Sequence, residues 1–368
     1  MQYWKKVILL LLAFICISTT AQSTETEETT MKEFVYYNPV SFQGPGHTEE
    51  LRDPAIIREG DAYYLVFTVY PFTHHTSRDP SKPDYNSSPG IKLYRSTDLF
   101  HWEFVDWLVK SFELPEDCPY KHRFWAPEIR KMNGKFYLTF TANNWIDEAY
   151  NPYGQFGMYA FVGVADNVEG PYEHITHIEG AGCDTSLFGD DDGRTYAYIP
   201  GMDVYVQEID LTQLEENKVQ LIGERRKIIT ASNADIGLDW SYKYLEGPWA
   251  FKRGDMYYLI YAGLRKDGCT EQNFDASGDY EYWSGIAYAK SPMGPFTKDP
   301  LGKAFYGGHM VTFDGPDGRQ WFSYRWEMDH TIRGLLCIDP LEFDENGRYV
   351  PSTPNKGMNR VRYNEVEE

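Results

Sequence analysis

Apolar and aromatic residues come in short bursts along this chain, and five of the bursts share one plan. They are RDPAIIREGDAYYLVFT from Arg52, WAPEIRKMNGKFYLTFT from Trp125, CDTSLFGDDDGRTYAYI from Cys183, LEGPWAFKRGDMYYLIYAG from Leu245 and HMVTFDGPDGRQWFSYR from His309. Each reads as a short strand, a Gly-containing turn, and a second strand rich in Tyr, Phe and β-branched residues. The turn glycines Gly60, Gly134, Gly193, Gly254 and Gly318 follow one another at 74, 59, 61 and 64 residues. That spacing leaves room for two more strands per repeat. Each repeat therefore predicts one four-stranded antiparallel blade, and five predict an all-β, five-bladed β-propeller. Gly- and Pro-rich connections, and the lack of a long amphipathic helical pattern, point the same way.

The repeats also predict where chemistry gathers. Asp53, Trp125, Asp184, Glu246 and His309 stand seven to nine positions before their turn glycines. If each first strand is the innermost of its blade, these residues share a height and converge on one end of the central channel. The long aromatic-rich insertions, such as VYPFTHHTSRDPSKPDYNSSPG and NNWIDEAYNPYGQ, are predicted at that same end, where binding loops sit on a rigid scaffold. His74, His75 and Trp145 ride on them without belonging to a motif.

The chain ends divide off by composition. Lys5-Lys6, the run VILLLLAFICIS and Thr-Thr-Ala before Gln22 have the architecture of a secretory signal over residues 1–21. The run is short for a membrane span, and Ala13-Phe14-Ile15 is a poor context for lipid attachment at Cys16. Residues 22–33 read as an acidic, Thr-rich flexible tether, 34–368 as one domain, and 351–368 show no strand pattern. A secreted or periplasmic protein is expected. A net charge of −20 argues against nucleic acid or an anionic membrane as partner. Cys118, Cys183, Cys269 and Cys337 form no CxxC or zinc pattern and are expected as buried thiols, although export would permit a disulfide.

Two aspartates, a glutamate and a histidine in one cavity suit glycosidic cleavage. That reaction needs one protonated and one ionised carboxyl, and a third carboxylate near the acid raises its pKa. Simpler roles exist for each residue. Asp53 before Pro54 can initiate a turn, Glu246 can cap a loop, and Asp190, Asp191 and Asp192 are turn residues. Trp125 can pack in a blade, Arg325 can form a structural ion pair, and Glu128 is expected to point into its blade or into a local hydrogen bond rather than at substrate.

Taken in order, Arg52-Asp53-Pro54, Trp125-Ala126-Pro127-Glu128, Asp184 before SLFGDDDG, Glu246-Gly247-Pro248 and Gly308-His309 resemble glycoside hydrolase family 43 over residues 38–350. The resemblance implies Asp53 as general base, Asp184 as the residue that orients the acid and raises its pKa, and Glu246 as general acid. It also implies inversion at the anomeric carbon and a carbohydrate substrate, chiefly α-L-arabinofuranosides or β-D-xylosides, with galactan among the alternatives. Trp125, His309 and Arg325 match substrate-cavity positions, and His309 matches a histidine that can hold calcium directly or through water. No cofactor is required. Cys183-Asp184-Thr185-Ser186 and His309-Met310-Val311 depart from the commoner family wording. A retaining fructan-cleaving propeller would need Asn-Asp-Pro-Asn and Glu-Cys motifs, which this sequence lacks. A non-catalytic glycan-binding propeller is the reading from another class.

Overall fold

Each repeat folds into a hairpin, and the five turn glycines have φ between 56° and 84°. This left-handed conformation costs glycine little, which is why a glycine punctuates every hairpin. The structure, a computed structural model, describes residues 31–40, 50–70, 89–144, 158–264, 282–326, 335–351 and 356–364.

The first strand is β1 (Met31–Asn38). Blade one holds β2 (Glu50–Glu59), β3 (Ala62–Tyr70), β4 (Gly90–Ser96) and β5 (Glu103–Lys110). Blade two holds β6 (His122–Met132), β7 (Lys135–Asn143), β8 (Tyr159–Ala165) and β9 (Glu173–Gly182). Blade three holds β10 (Ser186–Gly189), β11 (Thr195–Ile199), β12 (Val204–Asp210) and β13 (Gln220–Ile229). Blade four holds β14 (Glu246–Arg253), β15 (Met256–Leu264), β16 (Tyr282–Ala289) and β17 (Thr297–Lys298), with β18 (Phe305–Tyr306) also pairing with β16. Blade five holds β19 (Gly308–Asp314), β20 (Gln320–Trp326) and β21 (Leu335–Pro340). The last strand is β22 (Gly357–Asn364).

The first strands of the blades touch in a ring. β2 meets β6, β6 meets β10, β10 meets β14, β14 meets β19, and β19 returns to β2. Aromatic rings fill the spaces between and within blades. Phe140, for example, stacks on Phe161, and Phe251 stacks on Tyr258. Such pairs add directional attraction to the area they bury.

The first and last described strands correct two expectations. Residues 22–33 were expected as tether, but β1 already begins at Met31; the C-terminal tail was expected without a strand, but β22 pairs with β1 along its whole length, from Met31 opposite Asn364 to Asn38 opposite Gly357. Neither strand has a local partner, so local patterning does not mark them. Beyond β1, Val40 N–H donates to Leu336 O at 2.8 Å. The Asn38 side chain donates to Ile338 O at 2.8 Å and accepts from Ile338 N–H at 2.9 Å, so residues 38–40 lie along β21 of blade five.

Segments 71–88, 145–157, 265–281 and 327–334 lie outside the described residues, and with them His74, His75, Trp145 and Cys269. Among the described residues, β3, β7, β15 and β20 each end opposite the start of their blade's first strand.

Candidate active site

The first strands share a kink. Register breaks between Arg52 and Ala55, Trp125 and Glu128, Glu246 and Trp249, and Gly308 and Val311. At each break, and just before β10, one residue has left-handed φ: Asp53 at 51°, Ala126 at 45°, Asp184 at 58°, Gly247 at 51° and His309 at 52°. A bulge of this kind re-aims side chains and recurs next to active sites. Blade contacts hold it in place. The Thr68 hydroxyl accepts from Ala126 N–H at 2.5 Å, and the Thr141 hydroxyl accepts from Asp184 N–H at 2.9 Å.

The kinks revise the alignment counted from the turn glycines. Asp53, Asp184 and His309 do share one level, but Ala126 and Gly247 complete it. Trp125 and Glu246 stand one residue earlier, level with Arg52 and Gly308. Glu246 therefore approaches from the rim, and half-buried Trp125 stands at the matching place in blade two.

The three sequence-distant carboxylates nonetheless meet at one mouth. The buried His309 imidazole is a hub for Asp53, Asp184 and a fourth carboxylate, Glu128, while Glu246 stands outside it. Its Nδ1 lies 3.3 Å from Asp53 Oδ1 and 3.9 Å from Asp184 Oδ2, and its Nε2 lies 3.8 Å from Glu128 Oε1. Buried Arg325 places Nη1 3.7 Å from Asp53 Oδ1. Glu246 accepts a hydrogen bond from the Tyr282 hydroxyl, and the Cys183 thiol donates to Asp184 Oδ1 at 3.1 Å.

The environment sets the carboxyls apart. Burial opposes the charge on Asp53, but His309 and Arg325, helped by the Thr68 hydroxyl, hold it below its ordinary value of 3.8. Burial, then the neighbouring Asp53 and Glu128 carboxylates, push Asp184 up against the pull of His309. Burial and then Asp184 push Glu246 up to about 7, against Arg325 and Tyr282. Burial disfavours a charge on His309, yet Asp53, Glu128 and Asp184 raise its pKa to about 10. One mouth thus holds an ionised aspartate and a protonated glutamate at mildly acidic pH.

The family model for glycosyl hydrolases family 43 matches residues 42–349. The chain belongs to this family.

Among its family-43 relatives is a xylosidase/arabinosidase 43B of Humicola insolens, 26% identical over 291 residues, which cover 73% of this chain and 46% of that protein. A β-D-galactofuranosidase of Aspergillus niger is 26% identical over 315 residues, covering 79% of each. The chain spans about half the length of the curated relatives it matches first. Among solved structures, a thermostable family-43 glycoside hydrolase superposes with a TM-score of 0.62 at 24% identity, over 88% of this chain and 98% of that one. The endo-arabinase of Bacteroides thetaiotaomicron gives 0.58 at 19% identity, over 80% and 95%. At these identities the superpositions show a shared fold.

Calcium takes six to eight oxygen ligands, and among the described residues no group of three His, Cys, Asp or Glu is disposed to hold a metal. The imidazole stands between three carboxylates.

Several of the family-43 protein's site residues escape the sequence reading. Glu128 faces the channel rather than its blade, accepting from Ser186 Oγ at 2.6 Å while it approaches His309. Its place in Trp-Ala-Pro-Glu is the signal that could have found it. Tyr282 directly follows a long insertion and carries no local mark. Cys183 is exposed, unlike buried Cys118 and Cys337, and all three are free thiols.

Proposed function

We propose that this chain is an exported, inverting, exo-acting glycosidase that releases terminal α-L-arabinofuranosyl or β-D-xylosyl residues from plant polysaccharides or their oligosaccharides. The observation that carries this reading is the meeting of two differently seated carboxyls in one mouth, Asp53 beside the His309 and Arg325 cations and Glu246 against the Tyr282 hydroxyl, which holds the first low and leaves the second near 7. Asp53 takes a proton from water, whose oxygen attacks the anomeric carbon. Glu246 gives its proton to the departing glycosidic oxygen. Asp184 keeps Glu246 protonated by like-charge repulsion across the same cavity. Arg325 contacts the sugar in the innermost subsite, Trp125 lines the cavity, and the carboxylates need no metal for these proton transfers.

The sugar is the finer question, and the names of the relatives frame it. A panel of aryl arabinofuranosides, xylosides, galactosides and galactofuranosides, run beside plant polysaccharides, identifies it. Proton NMR of the first-formed anomer is expected to show inversion. Asp53→Asn is expected to abolish turnover on every substrate while binding survives. Retention of configuration, full activity of Asp53→Asn, or sugar binding without hydrolysis by the unaltered protein would each sink the proposal.

A further inference from the structure

Tyr282 opens β16 and is fully buried, and its hydroxyl donates to Glu246 Oε1. Its seat is built by an absence. A β-carbon on Gly308 would lie 1.7 Å from Tyr282 Cε1, so only glycine admits the ring. The Arg325 guanidinium carbon sits 4.7 Å from the ring centroid, and its Nη1 reaches toward Asp53. One side chain thus touches the proposed acid and supports the cation beside the proposed base.

We propose that Tyr282 is a positioning residue for the acid step: its hydroxyl fixes the Glu246 carboxyl and steadies the carboxylate left after proton transfer, while its ring carries Arg325. This role presupposes the acid assignment made above. The proton on Glu246 moves to the glycosidic oxygen as the carbon–oxygen bond breaks, and Tyr282 keeps its own proton throughout. Among the described residues, Asp184, Arg325, Asp53 and Cys183 also act on Glu246. A hydroxyl donor favours the charged form of the acid, so it works against burial and against Asp184.

The test is the pH profile of kcat/KM. Tyr282→Phe removes the donor, so the descending limb moves to higher pH by about one unit. At the optimum, turnover of a natural oligosaccharide falls roughly ten- to a hundredfold, the usual effect of losing a hydrogen bond to a charged group. An activated aryl glycoside changes little, because its leaving group needs less protonation. A ring-fluorinated tyrosine placed at Tyr282 keeps the shape, strengthens the donor and moves the limb to lower pH. It carries the test if Tyr282→Phe does not fold. A limb that stays in place in both variants, or moves in the same direction in both, overturns the role of Tyr282 alone. If Glu246→Gln leaves the limb and natural-substrate turnover unchanged, the acid assignment itself falls.

Discussion

Gly247 lies against His309 so closely that a β-carbon there would stand 2.9 Å from Nδ1 and 3.1 Å from Cγ of the imidazole. The glycine has φ +51°, and the ring it faces is buried between Asp53, Asp184 and Glu128. Gly247→Ala brings two costs: a left-handed alanine, about 1–2 kcal/mol, and displacement of a rigid ring that holds the carboxylates. The expected outcome is a melting temperature lower by several degrees and kcat/KM reduced by about tenfold or more. A folded variant with unchanged kcat/KM would show that the imidazole position does not govern activity.

The opposed carboxyl settings fix the shape of the pH profile. Asp53 must be ionised and is held below 3.8, so the ascending limb lies on the acid side of an ordinary aspartate. Glu246 must be protonated and is held at about 7, so activity declines through that region. The optimum of kcat/KM is expected between about pH 4 and 6. Glu246→Gln should abolish the descending limb on an activated aryl glycoside and slow natural glycosides by orders of magnitude. A descending limb retained by the variant would assign it to another group.

The propeller is legible in the sequence because each hairpin carries its own evidence: alternating strands, a turn glycine, and an aromatic second strand. The level of Asp53, Asp184 and His309 is legible for the same reason. Counting from the turn glycines fails at Trp125 and Glu246 because the count from kink to turn varies from seven residues at Asp53 to nine at Asp184. The kink sets the level, and Ala126 and Gly247 occupy it without looking functional. Tyr282 and the β1–β22 pair are illegible for another reason. Their partners, Glu246 for one and strands at opposite chain ends for the other, are brought near only by the closed ring.

Glu128 controls the charge of the hub. The pKa of His309 is raised from 6.5 to about 10 by Asp53, Glu128 and Asp184. A raised histidine pKa stabilises the fold fully below the unfolded value, and the contribution is lost as pH climbs through the folded value. The native protein is therefore expected to lose stability gradually between pH 6.5 and 10. Glu128→Gln removes one of the three carboxylates that hold the proton on His309, so the decline should begin at lower pH. At pH 7 the variant should be less stable by about 1–3 kcal/mol. Parallel urea unfolding of both proteins across this range is the check. Superimposable stability curves would mean that Glu128 does not sustain the charge on His309.

A small buried polar network ties β1 to blade five, and Asn38 is its most exacting member. Its side chain imitates a peptide group, donating to Ile338 O and accepting from Ile338 N–H, and it also donates to Asp339 Oδ2 at 3.1 Å. Tyr36 and Tyr324 donate to the same carboxyl, each at 2.8 Å, and burial raises the Asp339 pKa to about 6 despite these donors. Asn38→Ala strips β21 of both backbone partners at Ile338 and leaves buried groups unsatisfied. A loss of about 2–4 kcal/mol is expected from two such groups. Glu33→Ala, on the same strand, removes only exposed pairs with Arg360 and Arg362, which solvent screens, and should cost little. Thermal unfolding of the two variants separates the explanations. If β1 merely adds strand pairing with β22, the two substitutions should cost alike. If the Asn38 side chain latches the first strand onto the fifth blade, Asn38→Ala should lower the melting temperature well beyond Glu33→Ala.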